Sequence, residues 1–335
     1  MVTANAASRL VQHYVDKCRR LPWRSPPGAP PPDPYIVWLS EVMLQQTTVA
    51  AVTPRFERFV ERWPTVDALA AAPDEEILSE WAGLGYYARA RNLIACARKV
   101  AARGGFPATA AGLRELPGIG SYTSAAIAAI AFGEAAPAVD TNVERVIARV
   151  HGLTVPRRDR VAGELLGLMQ GHPPGDVVQA LMDLGATICR PKGARCGECP
   201  LRGDCAAFAS DDPESFPERK QRKARPHRYG TAFWTVRDGH VWLVRRRPSG
   251  LLGAMAALPG SEWTEAAPAA RNRLGSVRHV FTHFSLDLAV ETRPEPAGEG
   301  WWHPLESLHE AGLPTLYRRA AELALRSEEE RRAAA

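Results

Sequence analysis

Residues 116–123 read Leu-Pro-Gly-Ile-Gly-Ser-Tyr-Thr, and this stretch decides how the N-terminal part of the chain folds. Helix-like segments flank it at about Thr109 to Glu115 and Ser121 to Phe132. Glycines allow positive φ angles and let backbone N–H groups approach a phosphate beside the following helix N-terminus. The pattern predicts a helix-hairpin-helix element, and the alternative is an ordinary turn between two helices. The phosphate-facing residues would be Leu116, Gly118, Ile119 and Gly120.

The sequence around this hairpin is helical in pattern from Ser8 to about Ala209, with apolar residues recurring every three or four positions. The longest uncharged run, Leu116 to Gly133, contains Pro117, three glycines and several hydroxyl residues, which is typical of a buried helix after a turn and not of a membrane span. We therefore expect an all-α domain over residues 1–209.

The segment after the helical part changes character. Residues 210–228 are polar, proline-containing and then strongly basic, which predicts a linker. Two β-branched and aromatic runs follow, Thr231 to Val236 and His240 to Val244, and the Asp-Gly pair at 238–239 between them predicts a β-hairpin.

Further strand-like runs cover Val277 to Phe284 and Leu286 to Val290, and a closing helix is predicted near Tyr317 to Arg326. We therefore expect an α+β domain over residues 229–335.

Length and composition agree with two folded domains. The chain has 335 residues, of which 45% are hydrophobic and 24% charged, values typical of a globular protein. Its net charge of +5 permits a polyanionic partner without requiring one. The first 22 residues lack the apolar core of a signal peptide, and six cysteines in a chain of this length fit a reducing compartment. We expect a cytoplasmic protein.

Four cysteines fall within seventeen residues in the spacing C-x6-C-x2-C-x5-C: Cys189, Cys196, Cys199 and Cys205. Four thiolates suffice to hold one metal centre. Zinc sites with four cysteines often combine two C-x2-C knuckles, whereas this array has one. The spacing therefore favours a cubane iron-sulfur cluster in the loop 189–205, with zinc or four unrelated buried cysteines as alternatives. Its intervening basic residues could face a phosphate backbone.

Two carboxylates lie in unusual positions. Glu41 is on an apolar helix face with Val37, Trp38 and Leu44 one turn away, so it is either an exposed residue or a desolvated acid with a raised pKa. Asp33 can cap that helix. Asp140 precedes a helix and is either a plain N-cap or a second functional carboxylate.

Together these motifs resemble the MutY-type adenine DNA glycosylases, a family of the helix-hairpin-helix superfamily that includes endonuclease III. The resemblance covers nearly the whole chain and rests on Leu21-Pro-Trp-Arg24, Val37 to Thr47, Gly83 to Asn92, Leu116 to Thr123, Val139 to Val143, Leu181 to Cys189 and the cysteine array. It implies removal of adenine mispaired with 8-oxoguanine, and a [4Fe-4S] cluster on the four cysteines. It also implies two helical subdomains with a DNA cleft between them and a C-terminal Nudix-like domain.

The resemblance also implies a role for individual residues. Glu41 would protonate adenine N7 and then activate the nucleophile, and Asp140 would stabilise or trap the sugar cation, with support from Tyr122 and Asn142. Residues that would contact the flipped base or fill the gap in the stack are Arg24, Gln179, Gln46, Thr47 and Tyr86. Thr282 and His283 would contact 8-oxoguanine, and the four hairpin residues would bind DNA. The expected partner is double-stranded DNA with this mispair; we expect a monomer without membrane contact.

The chain departs from the family pattern, or from the superfamily's, in several places. Superfamily members that cut the strand carry Lys two residues after the last hairpin glycine, where this chain has Tyr122, so we expect base excision without efficient strand cleavage. The Glu-rich Nudix helix is missing between Gly253 and Arg278, so the domain should recognise DNA rather than hydrolyse nucleotides. Thr282 replaces a usual Ser, and the long Pro-rich loop from Ser25 to Pro32 also differs from the family pattern.

Other functions compete with this one. An endonuclease III-like pyrimidine glycosylase or a thymine-mismatch glycosylase would share the helical domain, but Tyr122 and the C-terminal domain argue against the first. A non-catalytic DNA-binding iron-sulfur protein would need neither Glu41 nor Asp140.

Overall fold

The computed structural model describes residues 4–218, 225–247, 250–253, 255–267, 273–281 and 283–333. The chain divides into two compact units. The first comprises Met1–Leu84 and Arg89–Gln221, and the second comprises Arg222–Ala335 together with Gly85–Ala88. Within the described ranges, no helix is long and apolar enough to cross a membrane.

The first unit is built from helices. In chain order they are α1 (Ala4–Lys17), α2 (Pro34–Leu44), α3 (Val49–Arg62), α4 (Val66–Ala71), α5 (Asp74–Glu80), α6 (Ala88–Arg103), α7 (Ala110–Leu113), α8 (Ser121–Phe132), α9 (Thr141–His151), α10 (Arg158–Met169), α11 (Pro174–Thr187) and α12 (Ala206–Ala209). Helix α8 packs against α2 and α11, and α11 also packs against α1 and α9. Because α8 is apolar on all sides, its residues from Thr123 to Ile130 are buried between these neighbours.

Local signals explain where the helices begin. As predicted, Asp33 caps α2, and its carboxylate accepts a hydrogen bond from the Tyr35 N–H at 2.7 Å. Pro34 occupies the first turn of the helix. The hairpin before α8 is also present, and Gly118 has φ +73°. The helix before it, α7, is shorter than predicted. Thr109 caps its start, and it ends at Leu113 instead of near Glu115.

The described residues of the second unit form two sheets and one long helix. Its elements are β1 (His227–Trp234), β2 (Val236–Arg237), β3 (His240–Arg245), β4 (Ala256–Ala257), β5 (Arg273–Val280), β6 (Ser285–Thr292), β7 (Gly300–Pro304) and α13 (Thr315–Ala333). One sheet has the order β1-β6-β5, with β1 parallel to β6 and β5 antiparallel to it. In the other, β3 pairs with β2, β4 and β7. Helix α13 packs on the first sheet and closes a core that includes Trp234, Leu288 and Tyr317.

The predicted hairpin between Thr231 to Val236 and His240 to Val244 is only partly correct. Its turn lies at Asp238 and Gly239, both with positive φ. Residues 231–234, however, belong to β1, which pairs with β6, and only β2 pairs with β3. The chain passes from one sheet to the other at Thr235. The partner strand of β1 lies more than fifty residues further along the chain, and the local sequence pattern does not indicate which strand that is.

The predicted linker, residues 210–228, is attached to the first unit over its initial part. Glu214 accepts a hydrogen bond from the Gly193 N–H at 2.6 Å, the Phe216 carbonyl accepts from Arg149 at 3.0 Å, and the Glu218 N–H donates to the Thr154 carbonyl at 2.8 Å. The last residues of the segment form the start of β1. A polar composition alone therefore does not show that a segment is a flexible linker, because the backbone groups of such a segment can be hydrogen-bonded to a folded unit.

Candidate active site

A cavity of about 650 Å³ opens in the first unit where α2, the starts of α8 and α9, and α11 converge. The predicted residues that line it are Arg24, Glu41, Gln46, Thr47, Tyr122, Asp140, Asn142 and Gln179. These residues come from five separate parts of the chain. The fold brings them together in one concave site. A pocket of this size accommodates a small ligand such as a single base.

Glu41 lies on α2 and is 8% exposed. Burial raises the pKa of its carboxyl from 4.5 to about 7, and the neighbouring Asp140 charge adds to the rise. A hydrogen bond with Tyr122 and the charge of Arg24 act in the opposite direction. Glu41 is therefore the desolvated acid of the two alternatives that the sequence allows, and a large share of it is protonated near neutral pH.

Asp140 is both an N-cap and a cavity residue. Its Oδ1 accepts a hydrogen bond from the Val143 N–H at 2.7 Å at the start of α9. Its Oδ2 accepts from the Asn142 side-chain amide at 3.2 Å. The two readings of Asp140 are thus compatible, because capping immobilises the carboxylate at the cavity wall. Gly185 lets α11 approach this corner, since a Cβ there would lie 2.6 Å from the Asn142 Cβ.

Tyr122 is the second residue of α8, directly after the hairpin. Burial raises the pKa of its phenol well above 10.0, and the charges of Glu41 and Asp140 add to the rise. The phenol is therefore neutral, and it hydrogen-bonds Glu41. No lysine is among the described residues that line the cavity.

Arg24 and Gln179 also line the cavity. The Arg24 guanidinium donates to Asp183 Oδ2 at 2.8 Å, and Arg19 Nε donates to Asp183 Oδ1 at 2.6 Å. The Gln179 side chain is 7% exposed, and its amide donates to the Gly175 carbonyl at 3.3 Å. Sequence reasoning missed Arg19 and Asp183; the signal for the latter is a carboxylate inside the apolar run 181–184 of α11.

The loop after α2 carries Gln46 and Thr47. Gln46 has φ 55°, a left-handed conformation that a non-glycine residue rarely adopts. Thr47 Oγ1 accepts a hydrogen bond from Arg89 Nη2 at 3.0 Å, and Arg89 also donates to the Met43 carbonyl at 2.9 Å, which ties the loop to the end of α2. Tyr86 also has positive φ, is 50% exposed, and is not among the residues that line the cavity.

The hairpin buries its apolar side chains and leaves its glycines exposed to solvent. Leu116 and Ile119 are buried, whereas Gly118 and Gly120 are exposed. A Cβ on Gly118 would lie 2.7 Å from the Asn92 Cβ, so the turn packs closely on α6. The exposed backbone at the start of α8 is suited to contact a phosphate.

The four predicted cysteines line one small, largely apolar cavity beside α9 and α11. Burial, with a smaller contribution from the neighbouring thiolates, raises the pKa of the Cys199 thiol to about 12. Arg149 Nη1 lies 3.4 Å from Cys189 Sγ. In the part of the chain that the structure describes, no three His, Cys, Asp or Glu side chains are grouped as ligands of one metal ion. The donor set nevertheless fits a thiophilic metal centre, because four cysteine thiols, the ligand type that such centres use, line this one cavity.

Known proteins match the chain in both units. The HhH-GPD superfamily base excision DNA repair protein pattern matches residues 39–170, and a NUDIX domain pattern matches residues 231–323. The human adenine DNA glycosylase is 34% identical, with 94% of this chain and 72% of that protein aligned. The chain belongs to the adenine DNA glycosylase family. The predicted resemblance and the predicted pairing of a helix-hairpin-helix domain with a Nudix-like domain are confirmed.

Solved structures resemble the helical unit of this family member. A thermostable thymine-DNA glycosylase has a TM-score of 0.54 and 29% identity, and it covers 61% of this chain and 95% of its own. A trapped endonuclease III-DNA covalent intermediate has a TM-score of 0.51 and 25% identity, and covers 63% of this chain and 99% of its own. The chain is therefore a DNA glycosylase of base excision repair and acts on DNA.

In the second unit of the glycosylase, the predicted site residue His283 lies in the connection between β5 and β6. The Phe281 N–H donates to the Phe284 carbonyl at 2.8 Å between β5 and β6, and His283 is exposed there. Phe281 stacks on Trp263, with ring centroids 5.5 Å apart and an interplanar angle of 27°. Thr282 lies outside the described residues. Between Gly253 and Arg278, the described residues form strands and loops without a helix.

Proposed function

We propose that this glycosylase removes adenine mispaired with 8-oxoguanine, or with guanine, by hydrolysing the N-glycosidic bond. The observation that carries the proposal is Glu41, a buried acid with a pKa of about 7 that shares one cavity with Tyr122 and Asp140. A protonated acid and an ionised carboxylate in different environments are the pair that cleavage of a glycosidic bond needs.

The reaction begins when the protonated Glu41 carboxyl donates its proton to adenine N7. The base then leaves with the electron pair of the glycosidic bond, and positive charge develops on the sugar. The Asp140 carboxylate, held by the α9 N-terminus and Asn142, stabilises or covalently traps that charge. Glu41, now ionised, accepts a proton from the attacking water, and Tyr122 keeps its carboxylate oriented.

The base reaches these groups by leaving the duplex. Extrusion of a nucleotide costs a few kcal/mol, which contacts in the pocket and side chains inserted in the stack offset. Arg24, Gln179 and Thr47 supply substrate contacts, and Gln46 and Tyr86 fill the gap near the opposite base. The strained Gln46 backbone supports this role, because such strain is common at functional loops.

Tyr122 supports excision without strand cleavage. A strand-cleaving glycosylase needs an amine that attacks the sugar and forms a Schiff base. The residue two positions after Gly120 is instead a buried, neutral phenol that bonds to Glu41. The enzyme should therefore leave an abasic site in an intact strand.

DNA is held by the exposed hairpin backbone at Gly118 and Gly120, with Leu116 and Ile119 as its buried anchors. An iron-sulfur cluster is general for the family, and Cys189, Cys196, Cys199 and Cys205 would hold a [4Fe-4S] cluster here. When bound, the cluster cross-links the end of the helical unit. The cysteines would then keep the basic loop between them in a shape that meets phosphate.

The C-terminal part reads the lesion. We assign residues 1–209 to excision, 210–228 to a linker and 229–335 to recognition of 8-oxoguanine through Thr282 and His283. The enzyme acts as a monomer on mispaired duplex DNA. We place it in the cytoplasm, at the nucleoid in a bacterial cell, because its substrate is DNA and its ligand cysteines require a reducing compartment.

A panel of duplexes tests the proposal. Adenine is placed opposite 8-oxoguanine, guanine or cytosine, and strand breaks are measured with and without alkali under single-turnover conditions. We expect alkali-dependent breaks that are fastest opposite 8-oxoguanine, slower opposite guanine and slowest opposite cytosine. Release of thymine or an oxidised pyrimidine in place of adenine would refute the proposed substrate.

A further inference from the structure

We propose that Asp183 is a positioning residue that holds the Arg19 and Arg24 side chains on the wall of the base pocket and sets the charge facing Glu41. The inference rests on the proposed function for its catalytic consequence. The Asp183 carboxylate accepts hydrogen bonds from the two arginines, and its backbone carbonyl accepts one from the Thr187 hydroxyl.

The geometry is that of one carboxylate between two guanidinium groups. Asp183 Oδ1 accepts from Arg19 Nε at 2.6 Å, and Oδ2 accepts from Arg24 Nη1 at 2.8 Å. The Arg19 backbone N–H also donates to Oδ2, at 2.9 Å. Asp183 lies on α11, whereas both arginines lie on the segment between α1 and α2. The carboxylate therefore fastens an irregular segment to a rigid helix.

Burial makes this anchor necessary. The Arg24 and Asp183 side chains are only 8% and 11% exposed, so neither charge is well solvated. Two guanidinium groups brought together without a counter-charge would repel each other and lose hydration. Burial alone would raise the pKa of Asp183, but its bonds to Arg24 and Arg19 lower it overall, which keeps the carboxylate ionised.

The anchor acts on Glu41 through Arg24. The groups that face Glu41 are Tyr122, Asp140 and Arg24, and the positive charge of Arg24 lowers the pKa of Glu41. Arg24 also pairs with Asp183 and lies near the Tyr14 ring, whose centroid is 6.0 Å from the guanidinium carbon. Asp183 thus offsets the charge of Arg24. Without its negative charge, the pocket is more positive, the ionised form of Glu41 is favoured, and less protonated acid is present near neutral pH.

The test replaces Asp183 by Asn, which retains shape and removes charge. The titration of Glu41 is followed directly by NMR of protein labelled with ¹³C at the glutamate carboxyl carbon, with the resonance assigned by its loss in Glu41→Gln. Single-turnover adenine release from the adenine:8-oxoguanine duplex is measured over the same pH range. We expect both midpoints to move to lower pH, and a shift of one unit lowers the rate about tenfold above the midpoint.

Two variants separate this role from general structural support. Asp183→Glu retains the charge and should keep the Glu41 midpoint near the wild-type value. Asp176→Asn removes a half-buried carboxylate from the first turn of the same helix and should leave the midpoint unchanged. If Asp183→Asn does not fold, Arg24→Gln provides the second test, because loss of the cation should raise the Glu41 midpoint.

The outcomes distinguish this inference from the proposed function. If the Glu41 midpoint moves as expected but the wild type releases no adenine, the positioning role holds and the proposed substrate is wrong. If adenine is released and the midpoint stays in place in a folded Asp183→Asn protein, or the rate falls equally at every pH, Asp183 is merely structural and the inference is overturned.

Discussion

Replacement of Glu41 by Gln should abolish excision and at the same time stabilise the protein at alkaline pH. The amide preserves the shape of the side chain and can still accept the Tyr122 hydrogen bond, but it has no transferable proton. The stability effect arises because the folded state binds the Glu41 proton more tightly than the unfolded chain does.

The magnitude follows from the pKa. A rise from 4.5 to about 7 corresponds to about 3 kcal/mol between the two protonation states. Because the folded-state pKa is raised, wild-type stability is greatest below the unfolded pKa and falls as pH increases through this window. Gln does not ionise, so the advantage of Glu41→Gln should grow by about 2 kcal/mol between about pH 5.5 and about pH 8.5.

Anaerobic urea denaturation of both proteins at the two pH values measures this difference. Other titrating groups are common to both proteins and cancel in the comparison. Glu57→Gln, which removes an exposed carboxylate from α3, is the matched control and should change stability by less than about 0.5 kcal/mol at either pH. A variant-minus-wild-type difference that does not depend on pH would refute the buried, protonated state of Glu41.

Three further predictions concern other parts of the molecule. Cys199→Ser should lose visible absorbance and solubility together, and stoichiometric zinc without iron or sulfide in anaerobic wild-type protein would contradict the cluster. Gly118→Ala should weaken binding to mispaired duplex and cost at least about 1 to 2 kcal/mol of stability, because it adds a clash to backbone strain. Gly104 has a similar positive φ but open space around it, so Gly104→Ala is the control. An equal loss of stability in both variants would show that the clash at Gly118 contributes nothing. A chain ended near Arg228 should keep excision opposite guanine and lose most of its preference for 8-oxoguanine, and His283→Ala should lose part of it; unchanged preference in single-turnover assays would refute lesion recognition by the second unit.

Local features of the fold could be predicted from the sequence. The hairpin at residues 116–123 and the start of α2 depend on neighbours in the chain, since a glycine turn and an Asp-Pro cap act within a few residues. The sheet partners could not. The parallel pairing of β1 with β6 depends on which apolar faces meet in the core, and each strand carries the same pattern whichever partner it takes.

The candidate site divides in the same way. Glu41 and Asp140 could be singled out from their sequence contexts, but whether each served structure or chemistry depended on burial and on their meeting in one cavity. Asp183 shows the limit more sharply. Its partner Arg24 is 159 positions away, and nothing near either residue in the chain indicates the pair. Contacts of this kind arise only when helices from distant parts of the chain pack together.

The central claim is that Glu41 donates the proton that releases adenine from its mispair with 8-oxoguanine. The most direct measurement is the amount of free adenine, detected by mass spectrometry, that cluster-loaded wild type and Glu41→Gln release from this duplex in a single turnover, with binding of both proteins to the duplex measured in parallel. We predict stoichiometric adenine from the wild type and none from Glu41→Gln, with comparable binding. Near-normal release by Glu41→Gln would show that another group is the acid and would contradict the mechanism.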